Sequence, residues 1–165
     1  MSYCAAVITV SDLGSRGLRQ DTNGPAVCAR LEEAGFSVAY TAIVPDEKEE
    51  ISALPRDCAD ERKIDLIVTT GGTGLSPRDV TPEATLAVLE REICAIPVAM
   101  WVEGLKHTPR AILSRAVAGT RGSSLIVNLS GSERTARENL GAVVGALEHG
   151  LHMIAAEGHD ASPHG

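Results

Sequence analysis

The residues best suited to chemistry in this sequence lie together between Ile64 and Thr85. A glycine-rich turn, Gly71-Gly72-Thr73-Gly74, is followed closely by Ser76, Arg78 and Asp79. Because glycine has no Cβ atom, the backbone N–H groups of such a turn can approach an anion closely. A turn of this composition is about as often a tight connection as a ligand-binding loop. The cation and the carboxylate that follow it favour an anion-binding site.

The elements around this turn would place it at the edge of a sheet. Leu66 to Val68 is a short apolar run of the kind found in a strand covered on both faces, and two threonines extend it. Thr81 and Pro82 predict the start of a helix, with a threonine N-cap and proline at the first helical position. We expect that helix to run to about Arg91. Strand, turn and helix start together predict an anion-binding corner.

A second candidate site follows an earlier strand, predicted from Ala5 to Val10. Ser11 and Asp12 come directly after it, before a loop over residues 13–21 that is rich in glycine and arginine. Ligands in open α/β sheets bind at the carboxyl ends of strands, which is where these two side chains would lie. The alternative is that Asp12 only closes an Asx-turn, and the residues alone favour neither interpretation.

Asp46 marks a third region, after a strand predicted from Phe36 to Val44. Asp46 and Glu49 have the spacing of a capping box, so the residues alone favour the start of a helix here. Pro55 falls inside that helix, and we expect it to kink or end the helix.

The segment from Gly104 to Gly131 has an unusual charge pattern. It contains Lys106, Arg110, Arg115 and Arg121 and no acidic residue, in a protein whose net charge is −7. A solvated basic face would normally carry interspersed acids. Their absence favours a surface that faces an anionic ligand.

Strands alternating with helices predict a three-layer α/β fold with a mostly parallel sheet. Further helices are predicted from Asp21 to Gly35, around residues 98–105 and along residues 136–154, and a further buried strand over residues 124–129. The helix around 98–105 is expected to pack on the sheet edge or on another subunit. We expect one domain over residues 1–157 and a disordered tail over 158–165, and assign no role to the tail's His159 and His164.

Composition excludes several classes of function. The net charge of −7 argues against general nucleic-acid binding, and aromatic residues make up only 2% of the chain, too few for base stacking. The four cysteines form no paired metal-ligand motif. The N-terminus lacks a basic leader, and no apolar run reaches the ~18 residues of a membrane helix. We therefore expect a cytoplasmic protein with free thiols and no membrane or nucleic-acid partner.

The stretch from Thr69 to Thr85 resembles the motif of the molybdopterin-binding family, which includes molybdopterin adenylyltransferases of the Mog type, MoaB proteins and the G domain of gephyrin. Shorter matches extend the resemblance over nearly the whole chain to about Ala155, namely residues 9–12, 43–47, 108–109, 113–115, 119–122 and 125–129.

The resemblance implies transfer of the adenylyl group of ATP to the phosphate of molybdopterin, with Mg²⁺ required. Asp46 and Asp79 match the family's two functional aspartates, so the resemblance replaces the capping interpretation of Asp46 with a catalytic, metal-binding role. The residues implied to hold the nucleotide are Gly71, Gly72, Thr73, Gly74, Arg78, Ser11 and Asp12. Those implied to hold molybdopterin are Ser76, Ser114, Arg115, Asn128, Gly131 and Ser132.

Two departures from the family pattern stand out. The family commonly has Asn-Leu-Pro-Gly where this chain has Ser130 in place of the proline, and Pro-Gly where Cys94 and Ala95 stand. Proline would fix the first of these turns, so its absence loosens the turn. The family also implies a homotrimer, with a hexamer as a further possibility. A MoaB-type protein that binds molybdopterin without turnover is the alternative function.

Overall fold

The protein is described here by a computed structural model that covers residues 2–156, so the predicted tail lies outside the described residues. The chain forms a six-stranded sheet with helices on both faces. The strands are β1 (Cys4–Val10), β2 (Ser37–Val44), β3 (Leu66–Thr70), β4 (Arg91–Glu92), β5 (Ala118–Arg121) and β6 (Ser124–Leu129). The helices are α1 (Asp12–Ser15), α2 (Asn23–Glu33), α3 (Lys48–Asp60), α4 (Thr81–Leu86), α5 (Ala95–Leu105) and α6 (Glu133–Ala155), with a 3₁₀ helix over Pro109–Leu113.

The sheet order is β2-β1-β3-β6-β5-β4, and the first four strands are parallel. The predicted three-layer, mostly parallel fold is therefore confirmed. β5 and β4 are antiparallel additions at one edge, and the sequence patterns did not predict them. β4 has only two residues, both exposed, so it carries no apolar alternation from which it could be recognised.

The central strands are buried on both faces, which explains their continuous apolar runs. Val7 and Val68 pack into one core with α2, α5 and α6, whereas Ile8 and Ile67 pack into a second core with α3. Residues 2–156 contain no helix that is both long and apolar enough to cross a membrane.

Two helix boundaries differ from prediction. α3 continues through Pro55 to Asp60, because buried residues on both sides of the proline, including Ile51 and Cys58, hold the helix against the sheet. α4 ends at Leu86, so that the chain can return as the edge strand β4. Thr81 is not the N-cap of α4: Val80 occupies that position and makes no side-chain capping hydrogen bond.

Candidate active site

The carboxyl ends of the four parallel strands bring the predicted regions together. Thr70 pairs with Thr9 and with Leu129, and Val10 pairs with Val44. The residues after these strands therefore lie along one edge of the sheet. Two backbone hydrogen bonds tie them together, from the Ser11 N–H to the Val44 carbonyl at 2.8 Å and from the Gly71 N–H to the Leu129 carbonyl at 3.1 Å.

Two adjacent cavities open at this edge. The first cavity, of about 470 Å³, is lined by Thr73, Gly74, Ser114, Ser132 and residues of α5 and α6. The second cavity, of about 420 Å³, is lined by Ser11, Asp12, Asp46, Gly71 and the loop over residues 19–23. Gly72, Asp79 and Gly131 line both cavities. The sequence-predicted halves of the site are thus neighbours that share a border.

The glycine-rich turn requires glycine at its first two positions. Gly71 and Gly72 have φ angles of +107° and +70°, in the region that side chains rarely adopt. A Cβ atom on Gly71 would lie 2.3 Å from the Val10 carbonyl oxygen, and one on Gly72 would lie 2.2 Å from Thr81 Oγ1. These contacts leave no room for a side chain, so the turn exposes bare backbone toward the cavities.

Arg115 holds the turn in place. Its Nε donates to the Gly74 carbonyl at 2.8 Å, one terminal nitrogen donates to the Asp79 carbonyl at 2.7 Å, and the other pairs with Glu83. Its backbone N–H also donates to the Thr73 carbonyl at 2.8 Å. Arg115 therefore does not line either cavity, although the sequence predicted that it binds molybdopterin. Its guanidinium is already committed to the turn.

Asp12 and Asp46 bind each other's backbone. The Asp12 N–H donates to Asp46 Oδ2 at 3.0 Å, and the Asp46 N–H donates to Asp12 Oδ1 at 2.9 Å. Arg78 donates to both oxygens of Asp12, at 3.1 and 2.9 Å, and also pairs with Glu47 at 3.0 Å. Arg78 was predicted to bind nucleotide phosphate, yet it lies outside the residues lining both cavities. It connects the glycine-rich turn to the ends of β1 and β2.

These contacts separate the acid–base properties of the two aspartates. The hydrogen bonds from Arg78 hold the pKa of Asp12 below its ordinary value. Burial and the neighbouring carboxylates of Asp12 and Asp79 raise the pKa of Asp46. A cation bound between Asp46 and Asp79 would relieve this repulsion. Glu47, not Asp46, occupies the N-cap position of α3, and the Asp46 carboxylate accepts from the Asp12 N–H instead, which favours the functional interpretation over the capping one.

The donor set fits Mg²⁺ better than a transition metal. Within residues 2–156 no cluster of three or more His, Cys, Asp or Glu side chains could hold a metal ion by itself. Asp46 and Asp79 both line the second cavity. Mg²⁺ is commonly held by one or two carboxylates together with substrate phosphates and water, and these two residues supply such a pair.

The turn after β6 is held by neutral groups. Thr70 Oγ1 donates to the Ser130 carbonyl at 2.7 Å, Asn139 Nδ2 donates to Ser130 Oγ at 3.1 Å, and Asn23 donates to the Gly131 carbonyl. Ser132 is the N-cap of α6, where its hydroxyl accepts from the Thr135 N–H at 3.2 Å. Ser130, Gly131 and Ser132 all line the first cavity.

Asn128 does not belong to the cavity surface, and the prediction that it contacts molybdopterin is not supported. It is fully buried, and its amide nitrogen donates to Thr69 Oγ1 at 2.9 Å and to Thr85 Oγ1 at 3.0 Å. Its oxygen accepts from the Val117 N–H at 3.2 Å. All its side-chain polar atoms are used to join β3, β6 and α4 beneath the site.

Ser76 is also outside the lining of both cavities. It is exposed, and its N–H donates to Asp79 Oδ2 at 3.0 Å. Ser76 therefore orients a carboxylate that reaches both cavities.

The segment from Gly104 to Gly131 carries less unpaired positive charge than its sequence suggests. Lys106 forms an ion pair with Glu103, three residues before it, and Arg115 and Arg121 form ion pairs with the distant Glu83 and Asp60. Arg110 lines the first cavity and makes no ion pair within the described residues. Linear spacing cannot show the pairing of Arg115 and Arg121, because their acidic partners lie far away along the chain.

Several lining residues were missed from sequence. Asp21 lines the second cavity while accepting from Thr9 Oγ1 at 2.8 Å and from the Gly24 N–H at 3.0 Å. Others line the first cavity: Trp101, Thr108, Thr135 and Asn139.

Comparison with known proteins identifies the family. Residues 6–149 match the family described as "Probable molybdopterin binding domain". The chain belongs to the molybdopterin-binding family. The resemblance inferred from the motifs is confirmed, and the matched region includes both cavities and all the predicted site residues.

Solved structures of the molybdopterin-binding family share the fold. The molybdopterin biosynthesis enzyme MoaB from Thermus thermophilus is 48% identical with a TM-score of 0.88, covering 92% of this chain and 96% of that one. The Mog protein from Mycobacterium ulcerans is 38% identical with a TM-score of 0.87, covering 93% of this chain and 100% of that one.

Among relatives of known sequence, the molybdopterin adenylyltransferase of Helicobacter pylori is 40% identical over 90% of this chain and 85% of its own length. The molybdenum cofactor synthesis protein cinnamon of Drosophila melanogaster is 39% identical over 93% of this chain but only 26% of its own length. The chain thus spans about a quarter of that longer relative.

Proposed function

We propose that the protein is a molybdopterin adenylyltransferase of molybdenum cofactor biosynthesis. The observation that carries the proposal is the pair of cavities that meet at Gly72, Asp79 and Gly131. A transfer between two substrates requires two binding spaces whose reacting ends touch. The name and 40% identity of the Helicobacter pylori relative support the same activity.

In the proposed reaction, a phosphate oxygen of molybdopterin forms a bond to the α-phosphorus of ATP. The bond from that phosphorus to the oxygen bridging to the β-phosphate breaks, and pyrophosphate leaves with the electron pair. No general base is needed, since the phosphate nucleophile is ionised at neutral pH. Positioning and charge neutralisation provide most of the catalysis in such transfers.

We assign ATP to the second cavity and molybdopterin to the first. The second cavity contains Ser11, Asp46 and the side-chain-free backbone of Gly72, which suit a triphosphate. The first contains hydroxyls, Arg110 and the N-terminal end of α6, together with the apolar Met100 and Trp101. Thr73 and Gly74 were predicted to contact the nucleotide, but they line the first cavity, so in this proposal they contact molybdopterin.

Asp46 and Asp79 would hold Mg²⁺ with the triphosphate, and the ion would neutralise charge on the phosphates. Asp12 and Arg78 position Asp46, while Arg115 and Ser76 position Asp79 and its turn. Gly72 and Gly131 would border the reacting phosphates.

We further propose a cytoplasmic homotrimer, with a hexamer as the larger assembly. Support comes from exposed apolar side chains on and after α5, namely Val98, Val102, Leu105, Ile112 and Leu113, which a monomer would leave in water. The four free cysteines suit a reducing compartment. Light scattering after size-exclusion chromatography measures the assembly directly, and a monomer at micromolar concentration would contradict it.

The decisive experiment incubates the protein with molybdopterin, ATP and Mg²⁺ and measures pyrophosphate. We expect pyrophosphate and adenylylated molybdopterin in equal amounts. ATP with a methylene group between the α- and β-phosphorus atoms is the matched control and must give neither product. If molybdopterin binds but no pyrophosphate forms with ATP, the protein is a MoaB-type binding protein.

A further inference from the structure

Thr81 carries a buried hydroxyl that the fold does not use. The residue is fully buried, and its Oγ1 has no hydrogen-bond partner within the described residues. Leaving a buried hydroxyl without a partner costs more free energy than a typical hydrogen bond contributes to stability. Buried polar groups in natural proteins are nearly always hydrogen-bonded, so an unpaired hydroxyl indicates a partner that is present only in another state of the protein, such as the substrate complex.

The hydroxyl lies directly behind Gly72, which lines both cavities, although Thr81 itself lines neither. A Cβ atom on Gly72 would be 2.2 Å from Thr81 Oγ1 and 3.1 Å from Asp46 Oδ1. The backbone of Thr81 is bound to the same residue, since its N–H donates to the Gly72 carbonyl at 3.1 Å. The side chains of Thr81 and Asp46 therefore approach the same point, which is open only because residue 72 is glycine.

The hydroxyl of Thr81 can donate a hydrogen bond, and the carboxylate of Asp46 can accept one. Asp46 Oδ2 accepts from the Asp12 N–H, but no donor within residues 2–156 reaches Oδ1. An unused donor thus faces an unused acceptor across the Cβ-free side of Gly72. Hydrogen bonds at such sites are often long in the ligand-free protein and shorten when substrate binds.

We propose that Thr81 is a positioning residue whose hydroxyl donates to Asp46 Oδ1 when the site closes on substrate. It thereby fixes the carboxylate at the border of the two cavities. The inference rests on the proposed function, because it gives Asp46 a role toward the Mg²⁺–ATP complex. It also explains why residue 72 is glycine, since any side chain there would separate the Thr81 hydroxyl from the Asp46 carboxylate.

Thr85 provides a matched control on the same helix. It is also a fully buried threonine, but its hydroxyl donates to the Thr81 carbonyl at 2.8 Å and accepts from Asn128 at 3.0 Å. Replacing Thr85 with Val removes bonds that stabilise the fold, whereas replacing Thr81 with Val removes a hydroxyl that has none. Both substitutions replace a buried hydroxyl with a methyl group, but only the hydroxyl of Thr85 is hydrogen-bonded in the fold.

The experiment compares Thr81→Val, Thr81→Ser and Thr85→Val with the wild type by Tm, by calorimetric titration with Mg²⁺ and ATP, and by pyrophosphate release. We expect Thr81→Val to keep or raise the Tm, yet to lose about 10- to 100-fold in turnover and to bind Mg²⁺–ATP more weakly. Thr81→Ser keeps the hydroxyl and loses a buried methyl group, so it should restore turnover with a slightly lower Tm. Thr85→Val should lower the Tm by about 3 °C or more.

Wild-type affinity and turnover in Thr81→Val would overturn the inference, as would a loss of Tm equal to that of Thr85→Val. If the wild type binds Mg²⁺–ATP but releases no pyrophosphate, the proposed activity fails while the affinities of the Thr81 variants still test the inference. A wild type that does not bind Mg²⁺–ATP overturns both.

Discussion

The turns after β3 and β6 lie side by side at the same edge of the sheet, but they are held by different kinds of group. Charged side chains, Arg115 and Arg78, hold the glycine-rich turn after β3 and its neighbours. Hydroxyl and amide groups of Thr70, Asn139 and Asn23 hold the turn after β6. Charge around the turn after β3 thus serves mainly to fix backbone. Among the described residues, the arginines that line one of the two cavities without an ion pair are Arg110 in the first cavity and Arg19 in the second.

The largest effect should come from Asp79, the carboxylate that both cavities share. Asp79→Asn keeps the shape and can still accept from the Ser76 N–H, but it removes the charge that would hold a cation. We expect pyrophosphate release to fall by about 100-fold or more. Molybdopterin affinity, measured by fluorescence titration, should change less than about threefold, because loss of one metal ligand leaves the first cavity intact.

Asp57→Asn is the control for Asp79, since Asp57 pairs with Arg62 at 2.7 Å and lines neither cavity. It should leave turnover unchanged. A large loss of molybdopterin affinity in Asp79→Asn would refute the division of the site into two halves.

Substitution of Arg115 tests whether the charged side chains around the glycine-rich turn after β3 stabilise the fold rather than bind substrate. Arg115→Ala removes hydrogen bonds to the Gly74 and Asp79 carbonyls and the ion pair with Glu83 of α4, and we expect a loss of about 1–2 kcal/mol in the free energy of unfolding, allowing for partial exposure. Both ATP and molybdopterin should bind more weakly, because the turn borders both cavities. Urea denaturation and the two binding titrations provide the measurements.

Arg62→Ala removes an exposed ion pair with Asp57 and a stacking contact on the Tyr40 ring, and should destabilise the protein less than Arg115→Ala does. If Arg115→Ala weakened molybdopterin alone and left stability unchanged, Arg115 would be the direct ligand that its sequence position first implied.

The fold could be predicted from sequence because its determinants are local. Continuous apolar runs at β1, β3 and β6 gave buried strands, and small residues after each of them gave turns. The edge strand β4 could not be found in this way, since it has only two residues and both are exposed. β5 forms a tight hairpin with β6 through Gly122, but its four residues, Ala-Gly-Thr-Arg, carry no apolar alternation that would predict a strand.

The strand ends predicted to form the site do lie together, whereas the ligand that each site residue binds stays a prediction. Ser11, Asp12, Asp46 and Asp79 do line a cavity together, since strand ends in a parallel sheet converge. Arg115 and Asn128 do not, because their partners are Glu83 and the threonines of other elements. The type of a residue shows which ligands it could bind, but only the three-dimensional structure shows whether other residues of the chain already occupy its hydrogen-bonding groups.

Arg110 differs from Arg115 and Arg78 because it lines the first cavity and makes no ion pair in the described part of the chain. Arg110→Ala should weaken molybdopterin binding about tenfold while leaving ATP affinity unchanged. The free energy of unfolding should change by less than about 0.5 kcal/mol, as for other surface substitutions. Arg110→Lys should retain part of the affinity, and the difference between wild type and Arg110→Ala should shrink as salt is raised. An equal loss of ATP affinity would contradict the assignment of the first cavity.

The smallest effect should come from Ser130, where the family commonly has proline. The Ser130 hydroxyl accepts from the amide of Asn139, which is 6% exposed, so a side-chain hydrogen bond takes the place of a ring in fixing the turn. Ser130→Ala leaves that buried amide without its acceptor and should lower the free energy of unfolding by about 1 kcal/mol.

A double-mutant cycle with Asn139→Ala tests whether the two side chains act as a pair. Each single substitution breaks the same bond, so the double variant should lose less stability than the sum of the two, with a coupling of about 1 kcal/mol. Molybdopterin affinity should follow stability, because the turn borders the first cavity. Additive losses would show that the turn is held by Thr70 and Asn23 alone, and that the neutral groups of this turn do not work together as the charged groups of the other turn do.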